Sequence, residues 1–181
     1  MKGFERKNRY FSLCGLNCAL CPMYVGGYCP SCGGGAGNQS CRIAKCSIEQ
    51  GGIEFCFECK KYPCEHYGEE DVVDSFITYR NRRADAERAK KDIRSYIREQ
   101  EEKEKILLWL LSECNDGRRK TLFCTAVNLL SLHQLEKVMN VLQKDKTELL
   151  KEKASLAATL LQEEAKKQGI SLSLRKNTER K

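Results

Sequence analysis

Between Glu69 and Gly169 apolar residues recur at three- and four-residue intervals, the period of helices with one buried face. Asp71 is placed to cap a first helix through Val72, Val73, Phe76 and Ile77, and Ile93, Tyr96, Ile97, Leu107, Leu111 and Cys114 carry the stripe onward. Between those apolar positions, REQEEKEK (98–105) offers Glu99/Lys103 and Glu101/Lys105 in the favourable i,i+4 order and reads as a solvated helical stretch. Asn115-Asp116-Gly117 supplies turn chemistry. A third helix is predicted over 119–130, burying Leu122, Phe123, Ala126 and Leu129. Ser131 with Gln134 forms a capping box for a fourth, with Leu135, Val138, Met139 and Leu142 inside. Thr147 restarts a last helix with Leu149, Leu150, Leu156, Ala157, Leu160 and Leu161 apolar, and Gly169 closes it. Leu135, Leu142, Leu149 and Leu156 lie seven apart, but Lys146 and Lys153 interrupt the seam, which favours an antiparallel bundle over a coiled coil. Beyond Gly169, Ile170, Leu172 and Leu174 alternate with serines and predict a short strand needing a partner at the edge of the N-terminal segment.

The pattern changes abruptly upstream. Residues 14–68 hold ten of the thirteen glycines, all three prolines and ten of the twelve cysteines, with few aliphatic residues. Such a segment makes loops and short turns rather than a hydrophobic core, so bound metal or disulfides must hold it. The expected fold is a small irregular cysteine-rich metal-binding module over 10–68, an all-α bundle of four to five helices over 69–168, and a short strand with a basic tail over 169–181.

The formal charge of +7 is spread unevenly: +3 over residues 1–13, zero over 14–68, +1 over 69–168 and +3 over 169–181. The excess lies in the tails, so basicity is weak support for a polyanionic partner. No apolar run exceeds Ile106–Leu111, too short to span a bilayer, and the N-terminus lacks a secretory pattern. A cytoplasmic protein is expected, and in a reducing compartment clustered cysteines are metal ligands more often than disulfides.

The candidate ligands are Cys14, Cys18, Cys21, Cys29, Cys32, Cys41, Cys46, Cys56, Cys59 and Cys64. Cys18/Cys21, Cys29/Cys32 and Cys56/Cys59 have the two-residue spacing whose turn aims both sulfurs at one ion while backbone amides support them. Cys41/Cys46 is looser, Cys14 and Cys64 flank the set, and His66 is a further possible donor. Ten thiols exceed two mononuclear sites by two, leaving the partition open. Zinc is the leading expectation and a [4Fe–4S] cluster the alternative, because thiolates serve both. Cys14-x3-Cys18-x2-Cys21 also has radical-SAM spacing, but no alternation of strands and helices follows it.

The run Cys14-Gly15-Leu16-Asn17-Cys18-Ala19-Leu20-Cys21-Pro22-Met23-Tyr24, with CPSC (29–32), CRIAKC (41–46) and CFECKKYPC (56–64), resembles the bacterial and archaeal family DUF3795. SFITYRN (75–81), NDGRRK (115–120) and GISLSLRK (169–176) look like its form with a C-terminal helical extension, so the resemblance covers nearly the whole chain. It implies a cysteine-rich cytoplasmic metal protein and brings no reaction with it.

Nothing else in the chain points to catalysis. His66 and His133 are the only histidines, no P-loop or dinucleotide fingerprint is present, and Gly33–Gly37 reads as a linker. Arg80, or the Arg118-Arg119-Lys120 cluster, is expected to offset the negative charge of a thiolate centre. Cys114 and Cys124 read as core thiols, and Trp109 as a bundle anchor. The leading expectation is structural zinc with a recognition or scaffold role toward a protein or small ligand, with nucleic acid and membrane not expected as partners. The rival is an iron–sulfur protein in electron transfer or support of an anaerobic enzyme.

Overall fold

The computed structural model describes residues 3–35, 41–67 and 73–176. Its helices are α1 (Pro22–Val25), α2 (Arg42–Glu49), α3 (Arg82–Lys91), α4 (Ile93–Glu113), α5 (Lys120–Leu129), α6 (Leu132–Leu142) and α7 (Leu150–Lys167), with 3-10 turns at Cys18–Leu20, Cys56–Glu58 and Glu65–Tyr67. The described residues contain no strand and no helix long and apolar enough to cross a membrane.

Local chemistry sets the helix ends. Asp92 leaves helical geometry and its carboxylate accepts the Ser95 N–H at 3.0 Å, separating α3 from α4. The Ser131–Gln134 capping box forms in both directions. Gly169 takes φ +68°, which lets the Ile170 N–H turn back to the Ala165 carbonyl at 2.9 Å.

α4 to α7 enclose one core, built by Leu107, Leu110 and Cys114, then Phe123, Val127 and Leu130, then Leu135 and Leu142, then Ala157 and Leu161. Trp109 packs on its flank beneath the Lys153 ammonium, 5.4 Å from the ring centroid. Leu20 is fully buried in this same core although it comes from the cysteine-rich segment. Asn128 fixes it there: its Nδ2 donates to the Leu20 carbonyl at 3.2 Å and to that of Cys124 at 2.9 Å. A second cluster joins Phe11 and Phe55 to Ala86, Ala89 and Tyr96 of α3 and α4. Helices therefore carry the thiol-bearing loops at two points. The boundary near residue 68 lies outside the described residues.

Several expectations are corrected. Residues 73–81 form turns, not a helix, because Asp74 accepts the Tyr79 N–H at 2.9 Å and closes the segment on itself; Asp71 and Val72 lie outside the described residues. No strand forms within the described residues 170–176. Residues 170–176 instead run extended beside the bundle, with Leu172 in the core. Arg80 donates to the carbonyls of Ser171 and Ser173, and Asp74 receives the Arg175 N–H at 2.8 Å. Side chains satisfy the backbone that a sheet would have paired. Of the stretch 98–105, Gln100 and Lys103 are buried, since Tyr96, Gln100, Lys103 and Leu107 share one face of α4. Leu149 and Leu150 are exposed at the start of α7, beyond the reach of the core.

Candidate metal centre

All twelve cysteines are described and none is in a disulfide. Cys114 and Cys124 are buried among the helices as expected. Nine of the ten N-terminal thiols divide between two cavities. Cys14, Cys18, Cys29, Cys32 and Cys41 line one of about 200 Å³, together with Phe4, Leu13 and Ile43. Cys46, Cys56, Cys59 and Cys64 line another of about 20 Å³ together with His66. Cys21 belongs to neither; it lies within electrostatic reach of Cys29, Cys124 and Lys120.

The loops that bring these sulfurs together depend on close packing. Gly15 follows Cys14 at φ +93°, and a Cβ there would stand 2.7 Å from the Arg82 carbonyl at the start of α3. Gly33 follows Cys32 at φ +78°, and a Cβ would stand 2.7 Å from Arg6 Cγ. Gly34 is packed too, a Cβ there standing 1.7 Å from the Pro30 carbonyl, whereas Gly35 meets nothing within 4 Å; residues 36–40 lie outside the described residues.

Backbone amides face several sulfurs. Those of Met23 and Tyr24 approach Cys21, that of Cys32 approaches Cys18 and that of Leu13 approaches Cys32. Ser12 Oγ stands 3.3 Å from Cys14 Sγ. Burial pushes the Cys14, Cys18, Cys21 and Cys32 thiols up despite these contacts, so a bound cation is what would hold them as thiolates.

Two buried guanidiniums lie beside these thiols. Arg6 donates from Nε to the Glu54 carbonyl at 2.9 Å and from Nη1 to the carbonyls of Phe11 (3.1 Å) and Cys32 (3.3 Å). Its Nη2 is buried without a hydrogen bond, with the Glu54 carboxylate at 3.5 Å. Arg82, equally buried, acts on Cys14. Lys120 reaches toward Cys21 and lies 5.9 Å from the Tyr28 ring centroid. Compensation by Arg80 is not what the structure provides, since its guanidinium binds the C-terminal segment, and Arg119 pairs with Asp116.

Among the described residues no three His, Cys, Asp or Glu side chains already converge on a point that could hold an ion. The thiols share cavities without meeting at one point. The donor set, the amides facing sulfur and the buried guanidinium with an unbonded nitrogen all fit an anionic thiolate–metal centre.

Asn17, inside the first cysteine turn, ties that turn to the helices. Its Nδ2 donates to Asp85 at 3.1 Å and its Oδ1 accepts from Tyr96 Oη at 2.9 Å. Burial pushes the Asp85 carboxyl up to about 6 against the pull of Lys103, Arg88, Tyr96 and Asn17. A carboxyl raised in the folded state favours folding when protonated, so its contribution is full below the unfolded value near 4 and is lost as pH rises through about 6. Asp85→Asn should keep the Asn17 bond and remove this loss, gaining on the parent by roughly 3 kcal/mol between pH 4 and pH 7. Denaturant titrations across that window check it, and parallel stability curves for the two proteins would contradict it.

Sequence reasoning missed Arg6, Asn17, Arg82 and Asp85 at this site. Only Asn17 carried a signal, its place within CGLNC. The searches of curated proteins and of solved structures returned no match. Residues 26–69, from the loop before Cys29 to just past Cys64, match the family described as protein of unknown function (DUF3795), in agreement with the resemblance carried by the cysteine motifs.

Proposed function

We propose that this protein binds metal through its N-terminal thiols in two centres, with structural zinc in the tight pocket, and that the metal-organised loops serve recognition of a protein or small ligand. The observation that carries this reading is the division of nine thiols between two separate cavities, each with at least four. Four thiolates are a complete tetrahedral set for zinc, and Cys46, Cys56, Cys59 and Cys64 supply one with His66 at its edge. A recognition role is supported by Tyr28, which stands largely exposed beside Lys120 on the cysteine-rich face. Iron–sulfur is the second reading, favoured by the volume of the five-thiol cavity.

Protein purified without air should contain stoichiometric metal, and its clustered thiols should resist a thiol reagent until a chelator is added. Metal-free protein with ten reactive N-terminal thiols and an unchanged fold would end the proposal.

A further inference from the structure

Resting on the metal-binding reading above, we propose that the two cavities are chemically different: Cys14, Cys18, Cys29, Cys32 and Cys41 seat a [4Fe–4S] cluster, while Cys46, Cys56, Cys59 and Cys64 hold a single zinc ion. Space decides between them. One water-sized sphere needs about 10–15 Å³ of such volume, so the cavity of about 20 Å³ admits one ion, whereas that of about 200 Å³ has room for roughly ten such spheres or more. One small cation would occupy only a small part of the larger cavity, which opens to solvent and would leave the rest to water. A compact inorganic core bridged by sulfide fills it.

Charge and surroundings agree. A [4Fe–4S] core of charge 2+ bound by four thiolates carries about −2, the four thiol protons leaving to solvent. The buried Arg82 guanidinium acts on Cys14, and Arg6 acts on Cys32 although the Glu54 carboxylate at 3.5 Å already pairs with it, so together they offset part of that charge. A four-thiolate zinc would carry an equal charge, so the arginines fit either occupant and the volume separates them. The rest of the lining is largely apolar, with Phe4, Leu13, Leu16, Ile43 and Ala44, and would limit the water around a cluster. Five thiols face the cavity where four are needed, which leaves one able to exchange with a neighbour during loading.

The test is anaerobic reconstitution of the full chain with ferrous and ferric iron in equal amounts, sulfide and zinc, which supplies the 2+ core without a further oxidant, followed by metal and acid-labile sulfide analysis and Mössbauer spectroscopy. The expected result is roughly four iron and four sulfide with one zinc per chain. Cys14→Ser with Cys32→Ser should abolish the sulfide-to-iron absorption and spare the zinc. Cys56→Ser with Cys59→Ser should do the reverse. Zinc in both cavities without acid-labile sulfide, or colour that follows Cys56 and Cys59, would overturn this assignment while leaving metal binding intact. Failure to bind any metal would instead remove the reading beneath it. Because the paired variants can lose their fold, the iron, sulfide and zinc counts on the unmutated chain decide the matter by themselves.

Discussion

Replacing Arg6 by alanine is expected to destabilise the folded protein by about 3–5 kcal/mol, the range for removing one partner of a buried ion pair. Its guanidinium joins three strands of backbone that have no regular secondary structure between them, bonding carbonyls of Phe11, Cys32 and Glu54 and facing the Glu54 carboxylate. It also lies 5.1 Å from the Phe55 ring centroid, inside the aromatic contact that joins the loops to α4. Truncation would leave those acceptors in a closed space where water cannot replace the donor, and would open a cavity against Gly33. Glu54 would suffer second, because its carboxylate holds the amides of Lys7 (3.4 Å) and Asn8 (2.7 Å) only while the turn stays in register. Arg6→Lys should recover little, since an ammonium cannot span three divergent carbonyls as a planar fork does. Denaturant unfolding of parent and both variants checks this. On the metal-binding reading, faster loss of the ion to a chelator should accompany it. A change below about 1 kcal/mol would show that the guanidinium is a passenger in the loop.

The helical half was legible because its signals are local. The Ser131–Gln134 box, the Gly169 stop and the inward placement of Phe123, Leu135, Leu142 and Leu161 all follow from residues within two turns of one another. Where the reading failed, a long-range contact overrode a local preference. Ile170, Leu172 and Leu174 alternate as a strand does, but Arg80, some ninety residues earlier in the chain, takes the carbonyls that a neighbouring strand would need. The charged run around Gln100 and Lys103 seemed solvated by composition, yet helical geometry places both on the stripe of Tyr96 and Leu107. Gln100 is buried there with no hydrogen-bond partner among the described residues.

For the site, cysteine spacing named ten candidate donors and could not divide them. CxxC pairing would assign Cys18 with Cys21 to one ion, but the turn at Cys18–Leu20 buries Leu20 in the bundle and leaves Cys21 beside Lys120, outside the cavity that Cys18 lines. Arg6 was invisible for a related reason. Nothing in MKGFERKNRYFS distinguishes a buried arginine from the surface cations around it, and only Glu54 and Cys32, folded back on it, make that distinction.

Removing metal from loaded protein should then divide the molecule by how each part is held. The bundle has eighteen buried residues in one cluster. The loops bury Phe4, Leu13, Ile43 and Ala44 among themselves, with Cys14, Cys32 and Cys56 between them, and Phe11, Ala19, Leu20 and Phe55 largely against the helices. These few apolar side chains, at about 1.5–3 kcal/mol for each large one, cannot offset the ordering of some sixty residues at about 1–2 kcal/mol each for the backbone alone. A structural zinc site, with an apparent binding free energy of about 10–16 kcal/mol, can close much of that gap with the help of the helices. Chelation is therefore expected to abolish amide protection in α2 and open residues 3–67 to proteolysis, while α5, α6 and α7 keep their helical circular dichroism. The bundle should nonetheless weaken, because withdrawing Leu20 empties a fully buried position and deprives Asn128 of one acceptor. That loss should be comparable to a leucine-to-alanine change in a core, about 2–5 kcal/mol, and should appear as a lower denaturant midpoint of the residual helical transition. If exchange in α2 and the helical transition are both unmoved after the metal is gone, the loops are self-supporting and their cysteines have some use other than holding the fold.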